Sequence, residues 1–212
     1  MSLQDYRSFE PVPAGHEIAF IGRSNVGKST LMRDLIGTKV KIGRRPGVTQ
    51  KPNYYRFDDL LITDMPGYGY MKGVDRAKRE RIKDLIVRYF EDHAPRIVCA
   101  VQVVDAKAFA EVADRWDARG EVPVDIELYD FLQELGIDVV VAANKMDKVP
   151  YAERDGVLDG ICVRLHMLPP WRHWLDRIAP ISARMDELGP LRTILRDRLR
   201  KAGLERYVNV IK

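Results

Sequence analysis

Cysteine is scarce in this chain, and long apolar runs are absent. Cys99 and Cys162 are the only two cysteines among 212 residues. Both have apolar neighbours and no CxxC spacing, which excludes a disulfide framework or thiolate metal centre and implies a reducing compartment. No stretch approaches the ~18 apolar residues of a transmembrane helix. Residues 1–16 lack the basic-then-apolar order of a secretion signal. The four histidines are scattered, none at ligand spacing from Cys, His or a carboxylate, which excludes a recognisable metal-binding cluster. His16 stands before the first apolar run, as a surface residue. There is no internal repeat and no low-complexity tract. The expected location is the cytoplasm, with no membrane association and a monomeric state.

Apolar residues make up 46% and charged ones 31%, enough to build one well-buried soluble domain, while two would be cramped. Continuous apolar runs at 17–21, 60–63, 97–104, 139–142 and 178–181 read as strands. Helical periodicity lies between them, at 75–91, at 126–135 and in a last helix carrying Leu188, Leu191, Ile194, Leu195 and Leu199. That alternation predicts an α/β fold of three layers, a mostly parallel sheet covered on both faces. The run Tyr54-Tyr55-Arg56-Phe57 before Asp58-Asp59 reads as a hairpin strand antiparallel to 60–63. Residues 149–176 are the least regular part, with Trp171 and Trp174 as packing residues. In such folds ligands bind beyond the carboxyl ends of the strands. The loops after Ile21, Thr63, Ala142 and Ile181 should therefore surround one pocket.

The first of those loops is Gly22-Arg23-Ser24-Asn25-Val26-Gly27-Lys28-Ser29. After a strand and before a helical pattern (Leu31, Leu35, Ile36, with Gly37 as a stop), it is a phosphate-binding loop. Its backbone N–H groups can wrap a diphosphate at a helix N-terminus, with Thr30 beside them. Lys28 would reach the β- and γ-phosphates and the Ser29 hydroxyl would ligate Mg2+. Asn144-Lys145-Met146-Asp147 follows a later strand. The Asp147 carboxylate can accept from guanine N1–H and the exocyclic amine, and a site built for such bonds rejects adenine by roughly 10⁴-fold or more. Asn144 would tie this loop to the phosphate loop, and the Lys145 stem would cover the ring. Ser182-Ala183-Arg184 offers a backbone N–H to the guanine carbonyl. Asp64-Met65-Pro66-Gly67 ends another strand, with Asp64 on Mg2+ and the Gly67 N–H sensing the γ-phosphate. Pro46-Gly47-Val48-Thr49 supplies Thr49 as a second Mg2+ hydroxyl, present only with that phosphate. The metal set is Ser29, Thr49 and Asp64, and GTP and GDP are the ligands.

The strings at 17–29 and 46–50, with Asp64-Met65-Pro66-Gly67-Tyr68-Gly69-Tyr70, resemble the EngB family of GTP-binding proteins over roughly residues 15–200. The resemblance implies a Ras-like G domain, here 17–202, between an extension at 1–16 and a tail at 203–212. It also implies GTP hydrolysis with Mg2+ and a role in ribosome assembly. Asn144, where bacterial members usually carry Thr, and a long segment at 107–124 with Arg115-Trp116 look archaeal or organellar. The position after Asp-x-x-Gly, often a Gln that orients water, is Tyr68, so slow intrinsic turnover is expected. In GTPases resembling this one, an Asn at the place of Asn25 helps bind K+ beside the phosphates. The other reading of Asn25 is a residue chosen for its backbone. The catalytic set is then Lys28, Thr49, Gly67 and Asn25.

Basic residues cluster at Arg33, Lys39, Lys41, Arg44, Arg45, Lys51 and Arg56, then at Lys72, Arg76, Lys78, Arg79, Arg81 and Lys83. Flanking the two switch segments, they suggest a polyanionic partner, ribosomal RNA or a ribosomal subunit. Arg192, Arg196 and Arg200 add to that surface or form a solvated row. The alternative is a signalling GTPase that recruits a protein effector and touches no RNA.

Overall fold

The apolar runs become strands buried on both sides, which is why they read as continuous rather than alternating. The computed structural model describes residues 13–37, 51–68 and 76–212. Its strands are β1 His16–Gly22, β2 Asn53–Phe57, β3 Leu60–Asp64, β4 Ile97–Asp105, β5 Val139–Asn144 and β6 Ile178–Pro180. They form a single sheet in the order β2-β3-β1-β4-β5-β6, parallel throughout except for the antiparallel β2–β3 hairpin. The three-layer α/β expectation and the antiparallel edge strand both hold. His16 opens β1 rather than preceding it, and its side chain is partly exposed.

Around the sheet lie α1 Lys28–Ile36, α2 Arg76–His93, α3 Ala106–Asp117, α4 Val124–Glu134, α5 Arg154–Arg164 and α6 Gly189–Lys201. Period-two alternation divides each strand between two cores. Ala19 and Ile21 of β1 face a cluster with Ile86 and Phe90 of α2, Phe109 of α3, Leu132 of α4 and Leu158 of α5. Ile18 and Phe20 face the opposite cluster with Leu31 and Leu35 of α1 and Leu191 and Leu195 of α6. Full burial of each such side chain contributes about 1.5–3 kcal/mol.

Two helices differ from the sequence reading. α5 crosses the segment expected to be irregular, because only Leu158, Ile161 and Cys162 of it are buried and Gly156 and Gly160 dilute the stripe. α3 occupies the long segment after β4, with Ala106, Phe109 and Ala113 buried. Two of those three are alanines, small residues that stand out little in a reading that looks for large apolar side chains. Trp171 is buried, and Trp174 packs on the same core. Both cysteines are buried and free.

Past α6, Leu204, Tyr207 and Ile211 return to the core. The Tyr207 hydroxyl accepts from the Asp59 amide at 3.1 Å, and the Lys212 amide donates to the Leu35 carbonyl at 2.7 Å. Arg192 and Arg196 donate to the carbonyls of Lys212 and Ile211.

At the amino end of β1, Glu17 is fully buried. The Tyr89 hydroxyl donates to one of its oxygens at 2.5 Å, and Arg96 pairs with the other at 2.6 Å.

Candidate nucleotide site

The carboxyl ends of β1, β3, β4 and β5 converge, as the strand-end rule requires. Register fixes their heights: Phe20 of β1 stands level with Asp64 of β3, and Asp105 of β4 level with Asn144 of β5. Residues 23–27 leave β1 and enter α1 at Lys28. Gly27 adopts φ 95°, and a Cβ there would lie 2.5 Å from the Asn144 amide nitrogen. The position therefore requires glycine for backbone and space alike. Lys28 is buried and forms an ion pair with the buried Asp64 carboxylate. Ser29 and Thr30 follow in the first turn of α1.

The Asn144 side chain joins three loops. Its Nδ2 donates to the Val26 carbonyl at 2.7 Å, and its Oδ1 accepts from the Ala183 amide at 2.9 Å. Lys145 takes a left-handed backbone, φ 68°. Its ammonium donates to the Asn25 carbonyl at 2.8 Å and pairs with Asp105. Met146 is buried, its amide donating to the Ile181 carbonyl at 3.1 Å. Asp147 is exposed, and the buried Ser182 hydroxyl donates to it at 2.7 Å. A carboxylate has four acceptor sites, so this bond orients Asp147 and leaves acceptors free. Arg184 is exposed.

Asn25 has φ 70° and an exposed side chain. Asn tolerates that conformation better than most residues, so its backbone alone would justify its choice. Met65 and Pro66 are buried, and Gly67 packs on the phosphate loop. The Ser24 amide donates to the Tyr68 carbonyl at 3.3 Å. The Tyr68 ring is buried and its hydroxyl donates to Asp125 at 2.9 Å. Burial, followed by the Asp125 charge, pushes the phenol well up from its ordinary range. Burial also raises the Asp125 carboxyl, against the opposing effect of Arg23.

Gly47, Val48 and Thr49 lie outside the described residues, as do Lys39, Lys41, Arg44, Arg45 and Lys72. Among the described basic residues, Arg33 pairs with Asp34, Lys83 with Glu127, Arg192 with Asp186 and Arg200 with Asp197. All three arginines of the row on α6 hold partners within the molecule, Arg192 on Asp186 and Lys212, Arg196 on Ile211 and Arg200 on Asp197.

Two acidic residues of the site escaped the sequence reading. Asp105 ends β4, and the strand-end rule applied to that strand would have found it. Asp125 carries no sequence signal, because it stands in the first turn of a helix distant from every motif.

A family model described as 50S ribosome-binding GTPase matches residues 17–145. A probable GTP-binding protein EngB of Methanosarcina mazei is 54% identical over 183 residues, 86% of this chain and 88% of the relative. The protein of the same name from Methanopyrus kandleri is 47% identical, covering 92% of this chain and 98% of its own length. The crystal structure of a probable GTP-binding protein EngB superposes with a TM-score of 0.78 at 42% identity, over 87% of this chain and 99% of that one. Era in complex with MgGDPNP and a 16S ribosomal RNA segment gives a TM-score of 0.58 at 25% identity, over 92% of this chain and 57% of that one.

Proposed function

The chain belongs to the EngB family of GTP-binding proteins, and on that premise we propose that it serves ribosome assembly as a Mg2+-dependent switch whose GTP form binds ribosomal RNA or a preribosomal particle. It is a GTPase. Asn144 and Lys145 brace the phosphate loop from the base-reading loop, so guanine recognition and phosphate binding form one preorganised unit. Asp147 selects guanine, and Lys28 with the loop amides holds the phosphates.

The donors at the metal position suit Mg2+. The Ser29 hydroxyl and the buried Asp64 carboxylate are hard oxygen donors, and Mg2+ completes such a pair with phosphate oxygens and water. Bound there, the ion neutralises charge on the β- and γ-phosphates. Lys28 pairs with Asp64 in this structure, so the same ammonium can pass from carboxylate to phosphate when the nucleotide binds. Thr49 is the proposed further ligand.

The observation that carries the ribosomal part is the double likeness to a ribosome-binding GTPase family and to an RNA-bound Era. Sedimentation of cell extract in graded salt, with GDP or a non-hydrolysable GTP analogue, tests it. Salt-sensitive, analogue-dependent comigration with a ribosomal subunit is expected. Migration as a free small protein with both nucleotides would instead favour an effector-recruiting switch. We further propose that the exposed Asn25 side chain helps hold K+ beside the phosphates, replacing an arginine finger. Turnover should then be faster in K+ than in Na+, and Asn25→Ala should abolish the difference. Equal wild-type rates in both salts would overturn it.

A further inference from the structure

Tyr68 occupies the position after Gly67, and its side chain is buried. Its hydroxyl donates to Asp125 Oδ1 at 2.9 Å. Asp125 Oδ2 lies 3.6 Å from Arg23 Nη1. The Asp125 backbone carbonyl accepts from Gln102 Nε2 at 2.6 Å. The first turn of α4 thus gathers one group from the phosphate loop, one from the segment after β3 and one from β4. Asp125 is only 5% exposed, so each of these bonds acts in a low-dielectric setting where a lost partner is costly.

Gly67 has little freedom relative to the phosphate loop. A Cβ there would lie 2.9 Å from Ser24 Oγ and 3.1 Å from the Ser24 backbone. Any shift of Gly67 toward a γ-phosphate moves the next peptide, and with it Tyr68. The hydroxyl must then either leave Asp125 or draw α4 along. The Gln102 side chain reaches the same phenol, and its Oε1 is buried without a hydrogen-bond partner among the described residues. A cavity of about 200 Å³ lined by Arg23, Asn25, Phe109 and Asp125 adjoins the ion pair, leaving Arg23 room to move.

We infer that Asp125 is a positioning residue which, through Tyr68, couples the Gly67 peptide to α4 and transmits the nucleotide state to residues 124–134. This rests on the reading of Gly67 as the sensor of the γ-phosphate. Two elements biased by one ligand make a switch only if the ligand discriminates between their arrangements. The discriminating contact would be at Gly67 and the responding one at Asp125.

The test compares wild type, Tyr68→Phe and Asp125→Asn in their affinities for GDP and for a non-hydrolysable GTP analogue, both with Mg2+. Hydrogen exchange is read at 64–68 and at 124–134. In the wild type, exchange at both segments should differ between the two nucleotides. In each variant the analogue-to-GDP affinity ratio should change by roughly fivefold or more, and the difference at 124–134 should vanish. A purely structural role would move both affinities by one factor and leave the ratio intact, which overturns the coupling. Nucleotide-dependent exchange at 64–68 without any at 124–134 overturns it too, while sparing the sensor reading. No nucleotide dependence at 64–68 overturns both. Tyr68→Phe keeps the buried ring, so the question stays answerable if Asp125→Asn fails to fold.

Discussion

Asn144, Lys145 and Ser182 show how single side chains can make a nucleotide site before any nucleotide enters it. Each spends its polar atoms on protein partners that face the ligand: Asn144 on Val26 and Ala183, Lys145 on Asn25 and Asp105, Ser182 on Asp147. Ser182 is the most testable of them. Replacing it with Ala removes one hydrogen bond to Asp147, the carboxylate proposed to read guanine, leaving the phosphate loop untouched. Affinity for GTP and GDP should fall together by about 0.5–1.5 kcal/mol, or roughly two- to tenfold, measured by titration calorimetry. Unchanged affinities would mean that Asp147 is oriented without Ser182. The sequence offered Ser182 only as part of a loop near the base, since a hydroxyl's partner depends on a fold that brings residues 35 apart in sequence together.

At the scale of elements, legibility tracked the number of large apolar residues on the buried side. β1, β3, β4 and β5 were readable because strands buried on both faces are mostly apolar, the few buried polar residues (Glu17, Thr63, Asp64, Gln102, Asn144) each breaking the run only once or at its end, and α2 and α6 because a long apolar stripe marks each. α3 hid because its buried residues are mostly small alanines rather than for want of period, and α5 because Gly156 and Gly160 dilute its stripe. The motif residues were readable for another reason: phosphate and guanine chemistry dictates residue types at fixed spacing. No such rule governs Asp125 at the start of α4. Its partners Arg23, Gln102 and Tyr68 come from three other elements, so only the assembled sheet reveals the contact. The Arg192, Arg196 and Arg200 row was ambiguous in sequence. The structure gives two of its members the carbonyls of Lys212 and Ile211 to hold.

For the whole molecule, the two cores meet across a sheet whose central strands carry almost no exposed surface, and this has a consequence for pH. Burial pushes the Cys99 thiol up to about 12, Asp138 adding to the effect and Arg198 opposing it. An unfolded thiol ionises near ~8.5. Above that value the unfolded chain releases the proton while the folded chain keeps it. The contribution is fully present below ~8.5 and is lost as pH rises toward 12, by up to about 1.4 kcal/mol per pH unit. Urea unfolding at pH 8 and pH 10 should show wild type losing more stability than Cys99→Ala loses over the same interval. Equal losses would mean that Cys99 does not contribute. Glu17 works on the same scale by different means. A strand slipped by one residue turns every side chain to the opposite face, and Glu17 would then enter the core of Leu31 and Leu195 without Arg96 or Tyr89. Stranding a buried charge in this way costs about 3–5 kcal/mol. That carboxylate is a registration mark for the central strand: a mis-threaded sheet is penalised at its far end, and the phosphate loop is delivered at the correct height only by chains that pass this check.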